Sequence, residues 1–143
     1  MNSCPELGEA EARIAIEACL AELRRRGKAA VVAVADRSGE LIALVRMDGV
    51  MLPSIGIATN KAYTAARVRG PSGDLGRKAS ADGWDVHYHG DHRYVGWDGG
   101  VPVMMGPGCV GAVAVSGLSG AEDLEIAQIG VAAIHESVGV NAK

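Results

Sequence analysis

Apolar positions recur at helical spacing near the start of the chain, where Ile16, Cys19, Leu20 and Leu23 share one side of a segment running from residue 6 to 26 that Gly27 ends. Two short apolar runs follow, Val31 to Ala35 and Leu41 to Val45. The intervening Asp36-Arg37-Ser38-Gly39 has turn composition and predicts a β-hairpin. Pro53 opens a second helix through about Val68, with Ile57, Ala58, Ala62 and Ala65 on one side and Gly70-Pro71 closing it. Residues 72 to 100 are the least regular, with a short helix expected from Leu75 to Ala81. Val101 to Met105 and Cys109 to Val115 flank Gly106-Pro107-Gly108 as a second hairpin, apolar on both faces and therefore in need of cover on both sides. Ser119 and Glu122 have capping-box spacing and start a last helix through Ile126, Ile129 and Ile134 to about Val138. The order predicts an α/β (α+β) fold: one antiparallel sheet packed with helices, in a single domain over residues 1–143.

Composition narrows the function classes. A formal charge of −3 and a pI near 5.8 speak against a nucleic-acid partner. The one dense basic run, Arg24-Arg25-Arg26, ends a helical pattern, where cations complement the helix dipole. No 18-residue apolar span and no secretory leader pattern are present, so no membrane partner and a cytoplasmic location are expected. Cys4, Cys19 and Cys109 are odd in number and widely spaced, which suggests neither a disulfide framework nor a cysteine zinc site. Twenty glycines and no phenylalanine imply a core filled by close backbone packing. The doubly apolar second hairpin and the alanine-rich second helix would suit burial against another copy of the chain, so a homo-oligomer is expected.

Candidate chemistry is concentrated between Trp84 and Trp97, which hold three of the four histidines and four of the five aromatic residues. On an extended segment His87 and His89 point to one face, and the Gly90-Asp91 turn would bring His92 round to meet them. Three convergent imidazoles would bind a divalent metal, zinc or iron, or haem iron. The alternative is a polar surface loop. His87 to His92 also matches the zinc-binding signature of the metallo-β-lactamase superfamily. That fold requires a longer chain and further ligands downstream, where only His135 is found.

Asp36-x-x-Gly39-x-Leu41, Arg46-Met47-Asp48, Ala58-x-x-Lys61-Ala62-x-Thr64-Ala65, Gly99-Gly100-Val101-Pro102, Gly111-x-x-x-Val115-Ser116-Gly117 and Glu122-Asp123 closely resemble, in order and spacing, the GlcG/HbpS family. The resemblance covers nearly the whole chain. It implies a profilin-like fold, higher oligomers and, for several members, haem binding or haem degradation; a related domain ends PduO-type proteins. It does not extend to the histidine loop, which the family usually lacks.

The residues so marked have two readings each. Arg46 and Asp48 hold a ligand's carboxylates or brace a turn locally. Lys61, on the buried side of a helix, needs a partner: a ligand carboxylate, Asp36 or Asp48. Gly99 and Gly100 bring backbone amides to a ligand or form a bulge entering a strand. Trp97, Lys61 and the central histidines would surround haem or a related small molecule, with histidine rather than cysteine as axial ligand. The alternative function is a metal-dependent lyase, isomerase, hydrolase or dioxygenase acting on a carboxylate-bearing or aromatic catabolite. There His87, His89 and His92 ligate the metal and Asp91 orients a histidine or serves as base. A third reading is an accessory subunit without a ligand.

Overall fold

The computed structural model describes residues 1–139. Helix α1 (Glu9–Arg25) leads into the hairpin β1 (Val31–Ala35) and β2 (Leu41–Arg46). Helices α2 (Pro53–Val68) and α3 (Ser72–Asp82) follow, then a single 3-10 turn (Val86–His89). The chain closes with the hairpin β3 (Gly100–Met105) and β4 (Gly108–Ser116) and helix α4 (Gly120–Ser137). All strand pairs are antiparallel, in the order β2-β1-β4-β3.

Alternation along the two central strands sorts the core into two layers. Val32, Val34, Val113 and Val115 face α1 and α4, joining Ile16, Leu23, Ile126 and Ile134. Val31, Ala33, Ala35, Ala112 and Ala114 face α2 and meet its Ala58, Ala62, Ala65 and Ala66. The sheet is thus clad by helices on both faces, as a strand buried along nearly its whole length, such as β4, demands. The alanine stripe of α2 is consequently covered by the chain's own sheet and not left for a second copy. β3, with only Gly100 and Val103 buried and its other four residues partly covered, is a half-covered edge.

Two elements differ from expectation. The first helix begins at Glu9 because Leu7 is held outside it: its amide donates 2.9 Å to the Val110 carbonyl, and the Gly8 amide is capped by Glu11. The helix after Pro71 spans Ser72–Asp82 rather than Leu75 to Ala81. On the opposite face, α1 and α4 cross so closely that a Cβ on Gly130 would lie 2.7 Å from Cys19 Sγ. That thiol donates 3.3 Å to the Ile126 carbonyl, and burial pushes its pKa up to about 12. No helix among the described residues is long and apolar enough to cross a membrane.

Candidate functional site

The sequence-marked residues fall into three groups. The first gathers where β4 hands over to α4. Lys61, from the middle of α2, is 2% exposed. Its Nζ donates 2.9 Å to the Val115 carbonyl and 3.0 Å to Asp123 Oδ2. Neither Asp36 nor Asp48 is its partner. Asp36 is turned into its own hairpin, accepting from the Ser38 and Glu40 amides. Asp123 sits in the first turn of α4, whose start Ser119 caps by accepting from the Glu122 amide, and its Oδ1 accepts 3.0 Å from the Leu118 amide. Burial raises the Asp123 carboxyl above its ordinary value, while the Lys61 ammonium and the Leu118 amide pull the other way.

Gly99 and Gly100 are explained by this packing. Gly99 has φ +125°, and a Cβ there would lie 2.6 Å from the Val115 carbonyl and 2.8 Å from Lys61 Nζ. A Cβ on Gly100 would come within 2.4 Å of the Lys61 carbonyl. Ser72, fully buried at the start of α3, fastens the same stretch by accepting from the Gly100 amide at 3.0 Å and donating 2.6 Å to the Trp97 carbonyl. Above this floor opens a cavity of about 490 Å³ whose lining includes Ser54, Lys61, Trp97, Ser116, Leu118 and two acids, Asp123 and the Asp98 that Arg77 neutralises, within the ordinary range for small-molecule sites. Trp97 stands at its mouth, 63% exposed. An ammonium has three protons; two on Lys61 are accounted for, and no third acceptor is found among the described residues.

Arg46 and Asp48 form the second group, beyond Ser54. Asp48 shares a depression with Met51, Ser54 and Gly117 that adjoins the cavity. Arg46 lies one depression further, with Arg24 and Asp48. Neither side chain lines the Lys61 cavity.

The histidine loop is the third group, and it is not extended. Asp85 accepts from the His87 amide at 2.8 Å and winds Val86–His89 into a 3-10 turn that Gly90 ends. At three residues per turn, side chains two apart diverge. His87 meets His92, ring centroids 4.9 Å apart, while His89 lies between Trp84 and Tyr94 with Nδ1 3.0 Å from the Val86 carbonyl. Among the described residues no group of three or more His, Cys, Asp or Glu side chains is placed to hold a metal ion. Asp91 holds the loop to α2: it accepts from the Tyr63 hydroxyl at 2.6 Å and from the Arg93 amide and guanidinium at 2.8 and 3.1 Å. These bonds, the Tyr63 hydroxyl first, pull the Asp91 carboxyl down to about 2, and burial pushes the Tyr63 phenol up to about 12. A carboxylate that acidic is a poor proton acceptor near neutrality. None of the four histidines lines the Lys61 cavity. The residues that sequence reasoning missed are Asp123 as the partner of Lys61, and Ser54, Ser72 and Ser116. The Glu122-Asp123 pair in the first turn of α4 was the available signal for Asp123.

A relative from Citrobacter freundii, described as an uncharacterized 15.0 kDa protein of the dhaT-dhaS intergenic region, is 31% identical over 100 residues, 68% of this chain and 70% of that one. Among solved structures, a double mutant of HbpS from Streptomyces reticuli matches with a TM-score of 0.84 at 26% identity, over 92% of this chain and 89% of its own. A complex of PduOC with haem matches with a TM-score of 0.81 over 90% of this chain and 94% of its own, and at 24% identity it speaks to the fold alone. The family model described as haem degrading protein, HbpS-like, matches residues 7–132, from the residue before α1's cap to the middle of α4. The chain belongs to this HbpS-like family.

Proposed function

We propose that the chain binds a small planar ligand bearing carboxylates, haem or another tetrapyrrole, in the cavity above Lys61. The observation that carries this reading is the buried Lys61 ammonium with one proton unmatched beneath an exposed tryptophan. Family membership and the haem complex of a protein with the same fold support it.

Haem presents a flat apolar ring, two propionates and an iron atom. The ring suits Trp97 and Leu118, and a propionate suits Lys61 and the hydroxyls of Ser54 and Ser116. No histidine or cysteine lines the cavity. Met51, 74% exposed in the adjoining depression, is the side chain there whose thioether would hold the iron where histidine was expected. Bound haem supplies a redox-active iron; the chain's share is to hold the ring and neutralise one acid group. A metal site at the histidine loop has no comparable support, since His89 diverges from the other two imidazoles.

Haemin titration tests the reading. A saturable Soret shift with quenching of tryptophan emission is expected, weakened about tenfold by Trp97→Ala and by Met51→Ala and unchanged by His87→Ala. A titration without saturation, or one indifferent to Trp97→Ala, overturns it. The homo-oligomer belongs to the same reading. With the alanine stripe covered internally, assembly falls to the open edge of β2, where Leu41 is 46% exposed and Ile42 to Val45 are half-buried. Sedimentation giving only the 14.7 kDa monomer at micromolar concentration would refute it.

A further inference from the structure

The basic side chains are not evenly matched with acids. Thirteen lie among the described residues, and eight have a carboxylate within ion-pair distance. The five that do not are Arg24, Arg37, Arg46, Arg67 and Arg69. Three of these five, Arg37, Arg67 and Arg69, line a single depression of about 280 Å³ whose other walls are Ser38, Ala66, Tyr94 and Cys109, with no acidic residue among them. They come from two places in the fold: Arg37 from the β1–β2 turn, and Arg67 and Arg69 from the last turn and the cap of α2.

The usual reason for cations at a helix end is the dipole, and it accounts for part of this cluster. The C-terminus of α2 carries about half a negative charge. Three guanidiniums overmatch it several-fold, and Arg37 does not belong to the helix. The nearby acids are already used: Glu40 pairs with Arg93, Asp91 with Tyr63 and Arg93, and Asp36 with its own turn amides.

Arg67 is also held in place before any ligand arrives. Arg67 Nε donates 2.8 Å to the Tyr94 hydroxyl and Nη1 donates 3.3 Å to the Ser38 carbonyl, with the guanidinium 4.9 Å from the Tyr63 ring centre. Its Nη2 has no acceptor among the described residues. Arg69 is the one non-glycine residue there with positive φ, at +57°. It occupies the left-handed cap position where glycine is favoured, and Gly70 is the next residue along. An arginine in a conformation that costs free energy is present for its side chain, not its backbone.

We propose that this depression binds the phosphate group of a small phosphate monoester through Arg37, Arg67 and Arg69. A phosphate monoester brings nearly two negative charges and three acceptor oxygens, which suits three guanidiniums around one depression better than a planar carboxylate does. The site shares no lining residue with the Lys61 cavity, so it stands or falls apart from the haem reading.

Calorimetric titration with glycerol 1-phosphate, inorganic phosphate and succinate on the intact chain is the test. Saturable binding of glycerol 1-phosphate is expected, at least about tenfold tighter than succinate and weakening steeply with salt. Arg37→Gln and Arg69→Gly should each lower the affinity about tenfold, and Arg69→Gly should do so with an unchanged or raised Tm because the strained cap is relieved. Arg24→Gln and Arg46→Gln are the controls and should bind as the parent does. The proposal is overturned by absence of saturation, by succinate binding as tightly, by inorganic phosphate binding tightly while the monoester does not, or by equal losses in the control variants. Haemin titration of Arg37→Gln separates the two sites: a loss of haemin affinity without phosphate binding would mean the arginines serve the tetrapyrrole instead.

Discussion

The floor of the Lys61 cavity and the loop from Trp84 to Trp97 both carry residues with the chemistry of a functional site, and they are fixed by opposite means. At the floor, Lys61 and Asp123 are buried, and the Val115 carbonyl with the Lys61 and Asp123 side chains leaves no room for a Cβ on Gly99. In the loop, His87, His89 and His92 are exposed, and position comes from side chains: Asp91 to Tyr63, Arg93 to Glu40, and ring against ring. A buried ion pair allows one geometry because every alternative leaves a charge without a partner. A surface network allows several because water replaces each bond at small cost. Preorganisation belongs to the floor, and concentration of reactive side chains in sequence did not predict it.

Asp123→Ala should give the largest effect, a loss of about 3–5 kcal/mol in denaturant unfolding, since it strands the Lys61 ammonium. Lys61→Met with Asp123→Leu should recover part of that loss, and failure to recover any would mean that packing, not charge, fixes the floor. Gly99→Ala should cost about 2–3 kcal/mol by the same measurement, from positive φ and collision with the Val115 carbonyl. Tyr63→Phe should cost only about 1 kcal/mol, read from the Tm, through its lost hydrogen bond to Asp91.

Acid offers a second way to separate the regions. The Asp91 carboxyl is depressed in the fold from an ordinary 3.8 to about 2, so its stabilisation is complete above the unfolded value and lost as pH falls from about 4 through about 2. The loop should therefore loosen over that range, visible as faster exchange of the Arg93 amide, and Asp91→Asn should abolish the pH dependence. The smallest effect should come from His87→Ala and His89→Ala, each within about 0.5 kcal/mol of the parent stability. Tight stoichiometric zinc binding that disappears in both variants would reverse the comparison and restore the loop as a metal site.

The architecture was legible because each element carries its own punctuation: Pro53 at the first turn of α2, Ser119 and Glu122 at the start of α4, and turn residues in both hairpins. The full length of α3 was not, because Gly73 and Gly76 lower its intrinsic helix preference. Gly76 is there for contact, since a Cβ would fall 2.1 Å from the Gly96 carbonyl, whereas a Cβ on Gly73 would meet the end of the Asp98 side chain. The site was half legible. A lysine among alanines announced a buried cation, but its partner is 62 residues further on, and only the fold brings them together. The histidine spacing misled for a local reason: Asp85 caps the segment into a 3-10 turn, which the period of an extended strand does not describe.

The contact between Cys19 and Gly130 has a consequence for how the protein meets oxidants and thiol reagents. A sulfur that cannot tolerate an added methyl carbon at 2.7 Å cannot tolerate an added oxygen either without parting α1 from α4, and a thiol with its pKa near 12 offers almost no thiolate to react. Exposed Cys4 therefore takes the first modification and can be lost to it without harm to the core. Modification of Cys19 reports something else: it records that the two helices have separated, which makes this residue a natural clock for core opening in the ageing protein.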